Sequence, residues 1–132
     1  MPVLATQLTT GFSDTDAQSY DTASITPTAN RLILVAVENR TTGQGAATPE
    51  PTLSGNGLTY VSVVSITFGN DLSRVTLFRA MGVSPSAGAI TITIGGTGNI
   101  YGSWSITEFS DVDTTGTNGS GAIVQSASNR DE

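Results

Sequence analysis

The segment Ala89-Ile90-Thr91-Ile92-Thr93-Ile94 constrains this chain more than any other. A period of two sends the three isoleucines to one side and the threonines to the other, the pattern of a half-buried β-strand. Alternation returns along the chain, and no twelve-residue window shows helical apolar spacing free of Gly, Pro and Thr clusters. Leu58 to Phe68 reads as a long strand, with Leu58, Tyr60, Val64, Ile66 and Phe68 on one face and Val61 and Val63 on the other. Arg74 to Met81 sets Val75, Leu77 and Met81 against Thr76, Phe78 and Ala80. Trp104 and Ile106 alternate with Ser103, Ser105 and Thr107. Leu32 to Val37 is apolar on both sides, which suits a central strand covered on two faces or covered by a partner. Leu4 to Thr10, Ser19 to Ile25 and Ala122 to Ser126 complete about eight expected strands.

The connectors carry turn chemistry. Gly55-Asn56-Gly57, Gly69-Asn70-Asp71, Ser84-Pro85-Ser86-Ala87-Gly88 and Gly95-Gly96-Thr97-Gly98-Asn99 supply residues that tolerate positive φ or fix a turn. Thr41 to Pro51 reads as an exposed loop, and Pro27 stops the pairing of the strand before it. Short strands with such punctuation predict an all-β chain: one antiparallel β-sandwich, jelly-roll-like, over residues 1–132. Its expected core is Leu34, Val64, Ile66, Leu77, Ile90, Ile92, Trp104 and Ile106.

Composition narrows the chemistry. With no Cys and no His there is no zinc site of the usual kind, no thiol nucleophile and no Ser-His-Asp triad. With no Lys there is no P-loop. Five scattered Arg against eleven acids, a net charge of −6, oppose binding to nucleic acid or to an anionic membrane. The longest apolar run, Leu32 to Val37, is far too short to span a bilayer, and Met1-Pro2-Val3-Leu4 does not open a secretory signal. Synthesis and folding inside a cell are therefore expected.

Three constellations merit a chemical reading. Asp111-Val112-Asp113-Thr114-Thr115-Gly116 opens like a calcium loop, with acids at positions 1 and 3 and Gly at 6. Ala122 stands where the bidentate acid belongs, so a polar turn is the plainer reading, with Asp111 and Asp113 as the candidate cation ligands. Asp14-Thr15-Asp16 is a fainter version. Glu108 with Asp111 or Asp113 would have to face each other across a cleft to work as glycosidase carboxylates. Trp104, Tyr101 and Tyr60 would have to share one exposed surface to stack on a sugar; core packing is the plainer use of scarce aromatics. Arg74 and Arg79 lie on one strand and read as a solvated edge or as partners for acids. No catalytic residue and no cofactor is assigned, and no enzymatic activity is expected.

Residues 24–35 (Ser-Ile-Thr-Pro-Thr-Ala-Asn-Arg-Leu-Ile-Leu-Val), 54–60 (Ser-Gly-Asn-Gly-Leu-Thr-Tyr), 74–80 (Arg-Val-Thr-Leu-Phe-Arg-Ala) and 104–109 (Trp-Ser-Ile-Thr-Glu-Phe) form an ordered series. It resembles β-sandwich proteins of phage virion-associated and uncharacterised bacterial type. The resemblance implies the fold, and it implies a phage virion structural protein such as a capsid decoration or fibre/tail component. It carries over no site residue. Such proteins continue with further strands after the region of Gly119 to Ser126, so this sandwich is expected to close with fewer strands or to have an edge covered by something else. The expected partners are further copies in a homo-oligomer, through an edge or terminal strand, and other virion structural proteins. The expected location is the virion, and the alternative is a carbohydrate-binding module.

Overall fold

In the computed structural model, which describes residues 1–43 and 47–130, alternation and turn residues together build two antiparallel sheets. The strands are β1 (Leu4–Ser13), β2 (Ser19–Asp21), β3 (Leu32–Thr41), β4 (Thr52–Ser54), β5 (Val61–Phe68), β6 (Ser73–Ala80), β7 (Thr91–Thr93) and β8 (Asn99–Ser110). The larger sheet runs β1-β8-β3-β6-β5 and the smaller runs β2-β7-β4. The chain changes sheets at almost every connection, as a jelly roll does. Among the described residues, the β5–β6 hairpin is the one place where consecutive strands stay together. Its turn contains Gly69, Asn70 and Asp71, all at positive φ, and the tight reversal holds β5 in the larger sheet.

The core lies between the sheets. Ile33, Val35 and Val37 of β3, Phe78 and Ala80 of β6, and Trp104 and Ile106 of β8 form its floor. Tyr20 of β2 and Ile90, Ile92 and Ile94 in and around β7 form its roof. The three isoleucines are almost wholly buried, as their alternation predicts. Each strand of the small sheet is only three residues long, so packing of the layer over the core, more than its short ladder, holds it in place. Gly102 and Gly11 admit the large aromatics: a Cβ on Gly102 would meet the Tyr20 ring at 2.7 Å, and one on Gly11 would meet the Trp104 indole at 2.8 Å.

Several expectations are corrected. Leu34, Val64, Ile66 and Leu77 lie half-buried on the outer side of the larger sheet. The second sheet covers the opposite side, so the core face of β6 is Thr76, Phe78 and Ala80. A bulge at Val63 reverses the alternation in β5: Val61 pairs with Arg79 and Val64 with Leu77, so both share the outer face, while Leu58 and Tyr60 precede the strand and pack toward the core. Ala122 to Ser126 forms no strand; a short 3-10 turn at Ser120–Ala122 precedes an extended segment outside both ladders.

The Thr41 to Pro51 connection is anchored rather than freely exposed. Thr48 is fully buried, its hydroxyl donating to the Asp71 carbonyl at 2.8 Å, and Pro51 is buried as well. Residues 44–46 of that expected loop lie outside the described residues.

Candidate interaction surface

The cross-strand register defines the outer face of the larger sheet. One row runs Thr10, Ser105, Ala36, Leu77 and Val64. The next runs Phe12, Ser103, Glu38, Val75 and Ile66. Paired residues in an antiparallel sheet point to the same side, so these rows make one continuous surface. Among the described residues no second sheet covers it. It mixes half-buried aliphatics with Glu38, Arg40 and Arg79, and none of these three forms an ion pair among the described residues.

Small side chains make a trough in this face. Ala36, Ser103 and Ser105 line a shallow cavity of about 250 Å³, with Glu38 and Val75 at its side. Phe12, beside Ser103 on β1, stands clear of it at 70 % exposure. Sequence reasoning missed this feature, because it arises only when β3 and β8 come into register.

The two edges of the sheet differ. Along β5 runs the C-terminal segment. The Ser126 hydroxyl donates to the Val63 carbonyl at 3.4 Å, and the Arg130 guanidinium donates to the Thr67 hydroxyl at 3.0 Å and the Asp71 carboxylate at 2.7 Å. The Thr67 hydroxyl in turn donates to the Asp71 carboxylate, and this bond first and Arg130's second hold the Asp71 carboxyl below its ordinary range. Strand β1 has a neighbour on one side only, carries no charged residue, and exposes Leu4 beside an exposed Val3. A bulge at Leu8 interrupts its register with β8.

The residues singled out for chemistry are scattered. Asp113 Oδ1 accepts the Thr115 N–H at 2.7 Å, a local turn whose hydrogen bond lowers the carboxyl's pKa. Asp111 sits at φ 58° and accepts from the Ser110 hydroxyl at 3.0 Å. Both carboxylates serve their own loop, and no group of three or more acidic, His or Cys side chains placed to hold a metal occurs among the described residues.

Glu108 is buried on the inner face, not beside a cleft. Its two oxygens accept the Thr28 N–H at 2.6 Å and an Arg31 N–H at 2.9 Å. This clamp ties the crossover between β2 and β3 to β8 near its C-terminal end, and it engages both oxygens of Glu108 inside the fold.

The three aromatics occupy three environments. Trp104 is 9 % exposed, its ring 6.1 Å from that of Tyr20 in the core. Tyr60 is half-buried; its hydroxyl donates to Asn56 Oδ1 at 3.1 Å, and burial pushes its phenol well above the ordinary value. Tyr101 projects from the outer face, where it lines a cavity of about 380 Å³ with Asp14, Glu38, Arg40 and Ile100. Of the Arg pair, Arg74 donates to the Thr48 carbonyl and the Ser65 hydroxyl on the inner side, while Arg79 lies on the outer side.

A scan against protein-family models and searches of curated proteins and of solved structures found no match to this chain.

Proposed function

We propose that this chain is a phage virion structural protein, of the capsid-decoration or fibre/tail kind, that works by assembling with further copies through its five-stranded sheet. The observation that carries the reading is the uncovered outer face, where Leu34, Val64, Ile66 and Leu77 sit half-buried with no layer above them. A contiguous apolar patch of this sort marks an interaction surface more often than a free one. The unpaired, uncharged β1 edge beside it adds a second route for association. The likeness of residues 24–35, 54–60, 74–80 and 104–109 to virion-associated sandwiches supplies the setting. Light scattering across a dilution series tests the assembly. The expected result is a mass above that of the 13.5 kDa chain, falling on dilution. A 13.5 kDa species at every concentration overturns it.

A second reading, carbohydrate binding, is favoured by one observation. Tyr101, Arg40, Glu38 and Asp14 surround a single cavity with an aromatic face and hydrogen-bonding groups of both signs. Titration with neutral oligosaccharides, followed by NMR shifts at Tyr101 and their loss in Tyr101→Ala, tests it. No shift at saturating sugar removes this reading.

A further inference from the structure

The outer face carries both halves of a reciprocal contact. Phe12 projects from β1 at 70 % exposure and packs over none of its own trough. One strand away, Ala36, Ser103 and Ser105 leave a depression of about 250 Å³, walled on the far side by Val75. We infer that the occupant of this trough is Phe12 of a second copy, in a two-fold face-to-face dimer in which each chain gives one ring and receives one. The inference rests on the assembly reading above and specifies its contact.

A projection and a recess on the same face of one chain can satisfy each other only between copies, and a two-fold axis does so twice and then closes. Charge agrees. The whole chain carries −6, which sets copies against each other, yet this face is balanced, with Arg40 and Arg79 against Glu38 and Asp14. Glu38 and Arg40 are without ion-pair partners among the described residues, so a facing copy can set anion against cation. Area agrees as well. Five strands ~4.8 Å apart and about eight residues long present roughly 500 Å² per copy, or about 1,000 Å² for the pair. That is the threshold of a specific interface, where a buried aromatic anchor decides affinity.

Two single variants and their mixture test this. Phe12→Ser removes the ring and keeps the trough. Ser105→Phe fills the trough and keeps the ring. Each alone should weaken dimerisation at least about tenfold in a dilution series, the usual effect of losing a central aromatic anchor. The double variant should be no weaker than either, because all three lose the same contact. An equimolar mixture should associate more tightly than either variant alone, since a hetero-pair regains one ring in one trough. Phe12 is exposed, so Phe12→Ser should melt like the parent in dilute solution. Wild-type dimers with both variants dimerising equally well would overturn the Phe12 contact and leave assembly standing. A wild-type monomer at every concentration would overturn both. A mixture no tighter than its components would overturn the reciprocal geometry.

Discussion

The inner and outer faces of the five-stranded sheet are made by alternate residues of the same strands, yet only one of them is core. On β3, Ile33, Val35 and Val37 are all but inaccessible, while Leu34 and Ala36 between them are half-exposed. On β6, Phe78 is buried and Leu77 is not. Hydrophobicity does not separate the two sets. What separates them is the small second sheet, whose Tyr20, Leu53 and Ile92 lie over one side. A strand's apolar pattern therefore states that a face can be buried, and the partner layer decides whether it is. The aliphatic outer face, without a covering sheet among the described residues, is the surface that the proposed assembly uses.

The sharpest way to break this comparison is to remove one side chain from each face. Ile92→Ala opens a cavity in the fully buried layer and should cost ~2–5 kcal/mol by denaturant unfolding. A melt unchanged by it would mean that the small sheet does not seal the core. Gly11→Ala tests the same layer from β1. The added methyl meets the Trp104 indole at 2.8 Å, and such overpacking should cost ~1–3 kcal/mol. Leu77→Ala probes the outer face and should cost about 1 kcal/mol in dilute solution, because only part of the side chain leaves water on folding. If copies associate through this face as proposed, its cost should grow with protein concentration, since a partner bound to the folded chain stabilises it. A Leu77→Ala penalty equal to that of Ile92→Ala and independent of concentration would erase the distinction between the faces.

The smallest effect concerns acid. The Asp71 carboxyl is held below its ordinary 3.8 by the Thr67 hydroxyl first and by Arg130 second. A depressed carboxyl stabilises the fold above its unfolded value, and that contribution is lost as pH falls through the lowered folded value. Asp71→Asn should therefore flatten the acid limb of the melting profile slightly and free the C-terminal segment from β5. Identical acid limbs in the two proteins would show that the segment is held by other contacts.

Much of this fold can be read from residues alone. Ile90, Ile92 and Ile94 name their buried side because threonines occupy the other. Leu77 and Phe78 cannot, since apolar residues fall on both sides of β6. The bulge at Val63 is invisible in sequence, because one unpaired residue looks like any other until the partner strand arrives. Ala122 to Ser126 has the composition of a strand but joins neither ladder; it meets the β5 edge through the Ser126 hydroxyl, a side-chain contact that no local pattern announces. Asp111 and Asp113 were legible as turn formers, and Glu108 as an acid near a strand end. That Arg31 and Thr28 would meet Glu108 was not, because the contact joins segments far apart in the chain. The trough depends on which residues of β3 and β8 stand opposite one another, and no single segment encodes that.

Strand β8 lies between β1 and β3, and it is the only strand that β1 touches within its sheet. On the ribosome β1 emerges first and β8 last. The uncharged segment Leu4–Ser13 must therefore wait, unpaired, until nearly every other strand has been made. The Glu108 clamp on Thr28 and Arg31 is delayed by the same interval. Pairing of β1 therefore joins the first strand to the last, and long-range pairing of this kind is slow. While it waits, β1 is the segment most open to capture by a neighbouring nascent chain. Crowded synthesis on polysomes would expose that hazard before any property of the finished protein does.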